Sequence, residues 1–224
     1  MQMIRQSVSR NSIILGIFAI ATTGMIVLTA NLTRDSIAKA VEDTLKKSLF
    51  EVMPPDRLDN DLLNDQLSLP ADKLLGTKAA KAAYVAKQNG EPTGVILQAV
   101  APEGYGGSIN LLVGLDSQAQ ITGVRVIPPH FETPGLGDAV EVQKSPWILS
   151  FNGKSLANTP ESRWRVKKDG GEFDAFTGAT ITPRAVVDAV YKALQYFDAN
   201  KASLLHADTA AVTSTQEAAT DVGH

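Results

Sequence analysis

The sequence predicts an α+β protein: a single N-terminal transmembrane helix, then an outer domain with an antiparallel sheet and packed helices. Three observations carry this. Residues 11–33 hold no charged side chain over 23 positions. Two pairs of strand-like segments flank turn sequences between residues 83 and 128. A helix start follows at Thr182-Pro183. The expected layout is a cytoplasmic stub at 1–10, a transmembrane helix at 11–33, an outer domain at 34–200 and a disordered tail at 201–224.

The uncharged run comes first. At about 1.5 Å per helical residue it spans roughly 35 Å, enough for a hydrocarbon core of about 30 Å. A cleaved signal peptide is the rival reading, with an apolar stretch of about 7–15 residues and a small-residue cleavage site. This run is longer, and Leu28-Thr29-Ala30 matches such a site poorly. Arg5 and Arg10 precede the run, and the first acidic residue is Asp35. Positive flanks stay in the cytoplasm, so the outer domain is expected in the periplasm, anchored in a bacterial inner membrane.

Residues 32–52 predict an amphipathic helix, because Ile37, Val41, Leu45 and Leu49 recur at i+4. Packing on the outer domain and binding a partner are both open to that stripe. Pro54-Pro55 ends it. Residues 56–71 lack a clean period and read as a linker. Segments 83–87 and 93–101 flank Asn89-Gly90, a favoured hairpin pair. Segments 108–115 and 121–128 flank a second turn at residues 116–119, with the glycine-rich bend Gly104-Tyr105-Gly106-Gly107 between the hairpins. In the late helix Thr182 is expected to cap and Pro183 to fill the first turn, with Val187, Val190, Leu194 and Phe197 as the buried stripe.

Composition removes several functions. The net charge of −3 argues against a nucleic-acid partner, because phosphate binding needs a clustered basic face. Without cysteine there is no disulfide framework, cysteine zinc site, Fe–S ligand set or thiol nucleophile. Of three histidines, His206 and His224 lie in the expected tail, leaving only His130 for a metal or a catalytic triad. Gly153-Lys154-Ser155 lacks the earlier glycine of a P-loop, and Gly135-Leu136-Gly137 lacks the third glycine of a dinucleotide fingerprint.

Two segments remain. Residues 130–138 (His-Phe-Glu-Thr-Pro-Gly-Leu-Gly-Asp) read either as a surface turn or as a ligand-contacting loop whose glycines permit close backbone approach. Residues 174–183 place small residues and two threonines before a helix start. A cap plus turn explains them; so does an anion site using the free first-turn amides.

The pattern Asp174-x-x-Thr177-Gly178-Ala179-Thr180 resembles the flavinylation motif of the FMN-binding domain family, and Glu132-Thr133-Pro134-Gly135-Leu136-Gly137 resembles that family's second hallmark. Runs at 101–105, 111–114 and 166–171 resemble, within it, the G subunits of Rnf (Rsx) electron-transport complexes. The resemblance extends to about Ala193. It implies FMN joined to Thr180 through a phosphoester, with the phosphate near the helix start. It also implies that Thr177 donates to the phosphate, that Gly178 and Ala179 keep the turn thin, and that Asp174 orients the segment while a flavin transferase loads it. Glu132 and Thr133 would offer polar contacts to the flavin, Gly135 would let the loop approach, and Leu136 and Tyr105 would pack on the ring. The implied role is an electron-carrying subunit, without independent turnover, of a membrane complex coupling ferredoxin/NAD-type electron transfer to ion translocation. Its partners would be the other subunits, the transferase and the membrane, with no nucleic acid and no metal.

Two rivals stand beside this. The C subunits of sodium-translocating NADH:quinone reductases share both motifs and the anchor, whereas the 101–114 and 166–171 runs favour the Rnf type. A cofactor-free, membrane-tethered scaffold would purify colourless.

Overall fold

A computed structural model describes residues 2–205, with side-chain environments from residue 11 onward. The chain divides into two compact units after Leu45. Helix α1 (Gln2–Val52) runs through the expected stub, the expected span and the expected amphipathic helix without a break. It is long and apolar enough to cross a membrane, and none of its apolar window is buried. Val41 and Ile37 are exposed, whereas Leu49 and Val52 are buried. Of the i+4 stripe, Leu49 is the fully buried member among the described residues.

The second unit is built on a five-stranded meander: β1 (Gln66–Leu69), β2 (Lys81–Gln88), β3 (Glu91–Gly104), β4 (Gly107–Asp116) and β5 (Ile121–Ile127), in sheet order β1-β2-β3-β4-β5. Every pairing is antiparallel. The antiparallel α+β expectation holds, with one correction. Residues 56–71 are not all linker, because β1 pairs along the edge with residues Lys81–Tyr84 of β2. Four residues are too few to show a period in sequence; the edge position, not local pattern, makes them a strand.

Turn chemistry sets the register. Gln88 pairs with Glu91, so Asn89 (φ 53°) and Gly90 (φ 82°) form a two-residue turn. Positive φ at both positions matches the right-handed strand twist. The bend at residues 104–107 is itself a hairpin turn, since Gly104 pairs with Gly107 and Tyr105-Gly106 form its tip. The β4–β5 turn is held by Asp116 Oδ1, which accepts the Gln118 and Gln120 N–H groups at 2.9 Å each.

Strand alternation then distributes the side chains. Val95, Leu97 and Ala99 of β3, with Ile109, Leu111 and Val113 of β4, face the principal core. Helix α2 (Ile181–Leu205) covers them with Val187, Val190, Leu194 and Phe197, the stripe expected from spacing. Each such residue contributes about 1.5–3 kcal/mol by leaving water. On β4 and β5, the end of α1 lies close against Gly114 and Gly123. It is tied there by the Thr122 hydroxyl, which donates to the Val52 carbonyl at 2.7 Å, and by Arg125 Nε–Glu51 Oε2 at 2.9 Å.

Helix α2 continues through residues 201–205, which were expected to belong to the tail, because Leu204 is 2% exposed and packs in the core. The remaining tail expectation, residues 206–224, lies outside the described residues.

Candidate functional site

Between β5 and α2 lie some fifty residues held by short 3₁₀ turns and a cluster of aromatic rings. Phe151 stacks on Phe173 at 4.5 Å, Trp164 sits 5.4 Å from Phe173, and Trp147 packs edge-on against Phe151 and Phe176. This cluster anchors the segment before α2. The Trp147 indole N–H donates to the Asp174 carbonyl at 2.8 Å, and Phe176 lies on the same ring. From Phe176 the chain makes one tight turn, closed by the Ala179 N–H to the Phe176 carbonyl at 3.2 Å. Gly178 takes φ 81° at its third position, a conformation that favours glycine. Thr180 then occupies the residue before α2, the N-cap position.

The loop at 130–138 folds back to the same place. It borders a cleft of about 270 Å³ with three walls: Tyr105 from the β3–β4 turn, Glu132, Thr133, Leu136 and Gly137 from the loop, and Gly178 to Thr182 from the helix start. Residues separated by about fifty positions in sequence thus share one cavity. Of the expected site residues, Thr180, Gly178, Ala179, Glu132, Thr133, Leu136 and Tyr105 line it. Thr177, Gly135 and Asp174 do not. Thr177 and Gly135 are exposed, and Asp174 points to Lys167, with Oδ1 2.7 Å from Nζ. The Asp174 main chain, rather than its carboxylate, fixes the segment through Trp147.

Thr182 departs from its expected role. Helix α2 starts two residues earlier than expected, at Ile181 rather than Pro183, so Thr182 lies inside the first turn. Its hydroxyl is fully buried and donates to Glu132 Oε2 instead of capping the helix. Glu132 is 6% exposed, and its Oε1 accepts the Gly106 N–H at 3.0 Å. Gly137 is also part of this contact, since a Cβ there would overlap Glu132 Oε2. Sequence reasoning missed Thr182 and Gly137 as site residues. The second glycine of Gly135-Leu136-Gly137 was a usable signal, but a threonine before proline at a helix start reads locally as a cap.

The electrostatics are simple. Glu132 is the lone charged residue among those lining the cleft. An anion at Thr180 would meet the α2 N-terminus, where the Ile181 and Thr182 N–H groups lack intrahelical acceptors and Pro183 has no N–H. Outside the cleft, Arg184 binds Asp169 with two bonds of 2.6 and 2.7 Å, fastening the preceding turn to α2. That hydrogen bond holds the Asp169 carboxyl below the usual carboxylate range.

Comparison with known proteins fits this arrangement. Residues 104–195 match the FMN-binding domain model, and residues 1–52 match the RnfG N-terminal region model. The chain is 50% identical over 207 residues to the G subunit of the ion-translocating oxidoreductase complex of Pseudomonas aeruginosa, covering 92% of this chain and 96% of that one. This chain belongs to the family of G subunits of ion-translocating oxidoreductase complexes. The G subunits of Vibrio atlanticus and Shewanella loihica are 46% and 41% identical, over 89% and 90% of this chain and 94% and 95% of theirs. The FMN-binding match spans both the cleft loop and the helix start, and the N-terminal match of the family ends where α1 ends.

Proposed function

We propose that this chain is an electron-carrying flavoprotein subunit of a membrane complex that couples ferredoxin/NAD-type electron transfer to ion translocation, with FMN joined to Thr180. The observation that carries this is the shared cleft. Thr180 and the Glu132–Gly137 loop, distant in sequence, line one cavity at a helix N-terminus. The residues fit the group. Thr180 is half-buried, so its hydroxyl is open to modification, and α2 offers two free amides to a phosphate. The cleft is below the roughly 300–1,000 Å³ of sites that enclose a drug-sized ligand, so part of the flavin would lie outside it, where exposed Tyr105 and Leu136 would offer apolar contact.

When bound, FMN supplies the redox chemistry. The chain's residues attach it, orient it and set the field around it. Attachment would form a bond between Thr180 Oγ1 and the FMN phosphorus, break the P–O bond to the leaving group of the flavin transferase's flavin-nucleotide donor, and pass the hydroxyl proton to that leaving group or to solvent. Thr133 offers a hydroxyl in the cleft wall, and Gly178 gives the turn its left-handed residue. No turnover is expected from this chain alone; its partners are the other subunits of the complex. The Arg5/Arg10 flank supports a cytoplasmic N-terminus and a periplasmic second unit in a bacterial inner membrane.

Similarity to G subunits at up to 50% identity weighs against the quinone-reductase reading. Intact-mass measurement of the protein from its native host tests the proposal. One covalent FMN adduct is expected, and its absence would leave the scaffold reading standing.

A further inference from the structure

Glu132 is buried, yet none of the nine ion pairs among the described residues includes it. A buried carboxylate without a cation is costly unless its oxygens are hydrogen-bonded. Here neutral donors do this: the Gly106 N–H to Oε1 and the Thr182 hydroxyl to Oε2. Both oxygens act as acceptors, the arrangement an ionised carboxylate requires. The seat is also tight. A Cβ on Gly137 would strike Oε2 and approach the Thr182 hydroxyl at 3.1 Å, and one on Gly106 would overlap the Phe131 carbonyl beside Glu132.

Attachment at Thr180 needs none of this. A fold that required only a closed loop could use an apolar contact at lower desolvation cost. The seat instead keeps one negative charge in the wall of the cleft, with no cation among the lining residues and no ion pair to it among the described residues. Neutral hydrogen bonds stabilise the anion but leave its net charge intact, and in a partly desolvated cleft that charge acts strongly on neighbouring groups.

We propose that Thr182 is a positioning residue for Glu132, and that the pair fixes an uncompensated negative charge beside the flavin, lowering its reduction potential by opposing the charge that reduction adds. This rests on the flavin reading above. Thr182 acts through Glu132 and does not serve as an attachment site.

The test uses the full chain in detergent, made with and without the flavin transferase. Thr182→Val removes the hydroxyl at nearly constant shape, Thr182→Ser restores it, and Glu132→Gln removes the charge while keeping an acceptor. In the loaded protein, Thr182→Val and Glu132→Gln are expected to keep a fluorescent band on a denaturing gel and to raise the flavin midpoint potential. Thr182→Ser is expected to return the wild-type value. An unchanged potential in Glu132→Gln, or in Thr182→Val with only its melting temperature lowered, reduces the seat to a structural contact and overturns the proposal. In the unloaded protein, Gly106 amide exchange should accelerate in Thr182→Val and Gly137→Ala and remain slow in Thr182→Ser. Equal exchange in Thr182→Val and wild type refutes the seat itself. A wild-type protein lacking flavin would sink the flavin reading instead, while Gly106 exchange would still report on the seat.

Discussion

Thr180→Ala and Thr182→Ala remove the same atoms from threonines two positions apart, and the structure predicts opposite consequences. Thr180 is half-buried, and its hydroxyl has no hydrogen-bond partner among the described residues. Truncation there loses part of one methyl's burial, about 0.5 kcal/mol against the 0.8 kcal/mol of a fully buried group. For a unit of this size that is about 1–2 °C in melting temperature. Covalent flavin, however, should vanish, because the ester has no oxygen to form on. Thr182 is fully buried and is the donor to Glu132 Oε2. Truncation leaves that oxygen unsatisfied, at about 1–3 kcal/mol, or about 2–12 °C. This exceeds the loss expected of a helix cap at the lower end, while flavin should remain attached. Thr177→Ala should change neither, since Thr177 is exposed and outside the cleft. Gel fluorescence after co-expression with the transferase reads attachment, and differential scanning fluorimetry of the unloaded protein reads stability. A fluorescent Thr180→Ala band with a dark Thr177→Ala or Thr182→Ala band would move the attachment to another hydroxyl. Equal melting of Thr180→Ala and Thr182→Ala would refute the buried hydrogen bond.

Three further outcomes are expected. Trp147→Phe keeps the ring contacts but removes the indole donor to the Asp174 carbonyl, so urea unfolding should show a loss of about 1 kcal/mol and flavinylation should slow; unchanged values in both would remove Trp147 from the support of the segment. Asp169 is depressed in the folded protein by its Arg184 hydrogen bond, so its contribution is present above the unfolded carboxylate value of about 3.9 and is lost as pH falls through the lower folded value. Urea midpoints between about pH 5 and 2 should therefore fall less steeply in Arg184→Gln than in wild type, and parallel profiles would remove the pair from acid stability. A reporter that works only after export, fused after Leu205 to leave the buried Phe197 and Leu204 in place, should be active; activity of a cytoplasm-only reporter at that site would reverse the proposed orientation.

The elements legible in the sequence were those whose causes are local. A charge-free run is visible without any fold, and so is the Asn89-Gly90 turn, whose two residues both take positive φ. The α2 stripe at Val187, Val190, Leu194 and Phe197 follows from helical period alone. Both motif segments stood out by composition, and the family resemblance joined them before any distance was known. Strand β1 was hidden because its pairing partner, not its own pattern, defines it. The aromatic cluster around Phe151 and Phe173 was hidden for a related reason: irregular backbone has no period, and its rings reveal nothing until they stack. Thr182 shows the limit most sharply. By itself it is a good capping residue, and only the return of the 130–138 loop brings a buried carboxylate within reach of its hydroxyl. An unpaired buried acceptor costs more than a missing cap, so tertiary contact decided the role of a residue whose local chemistry pointed elsewhere.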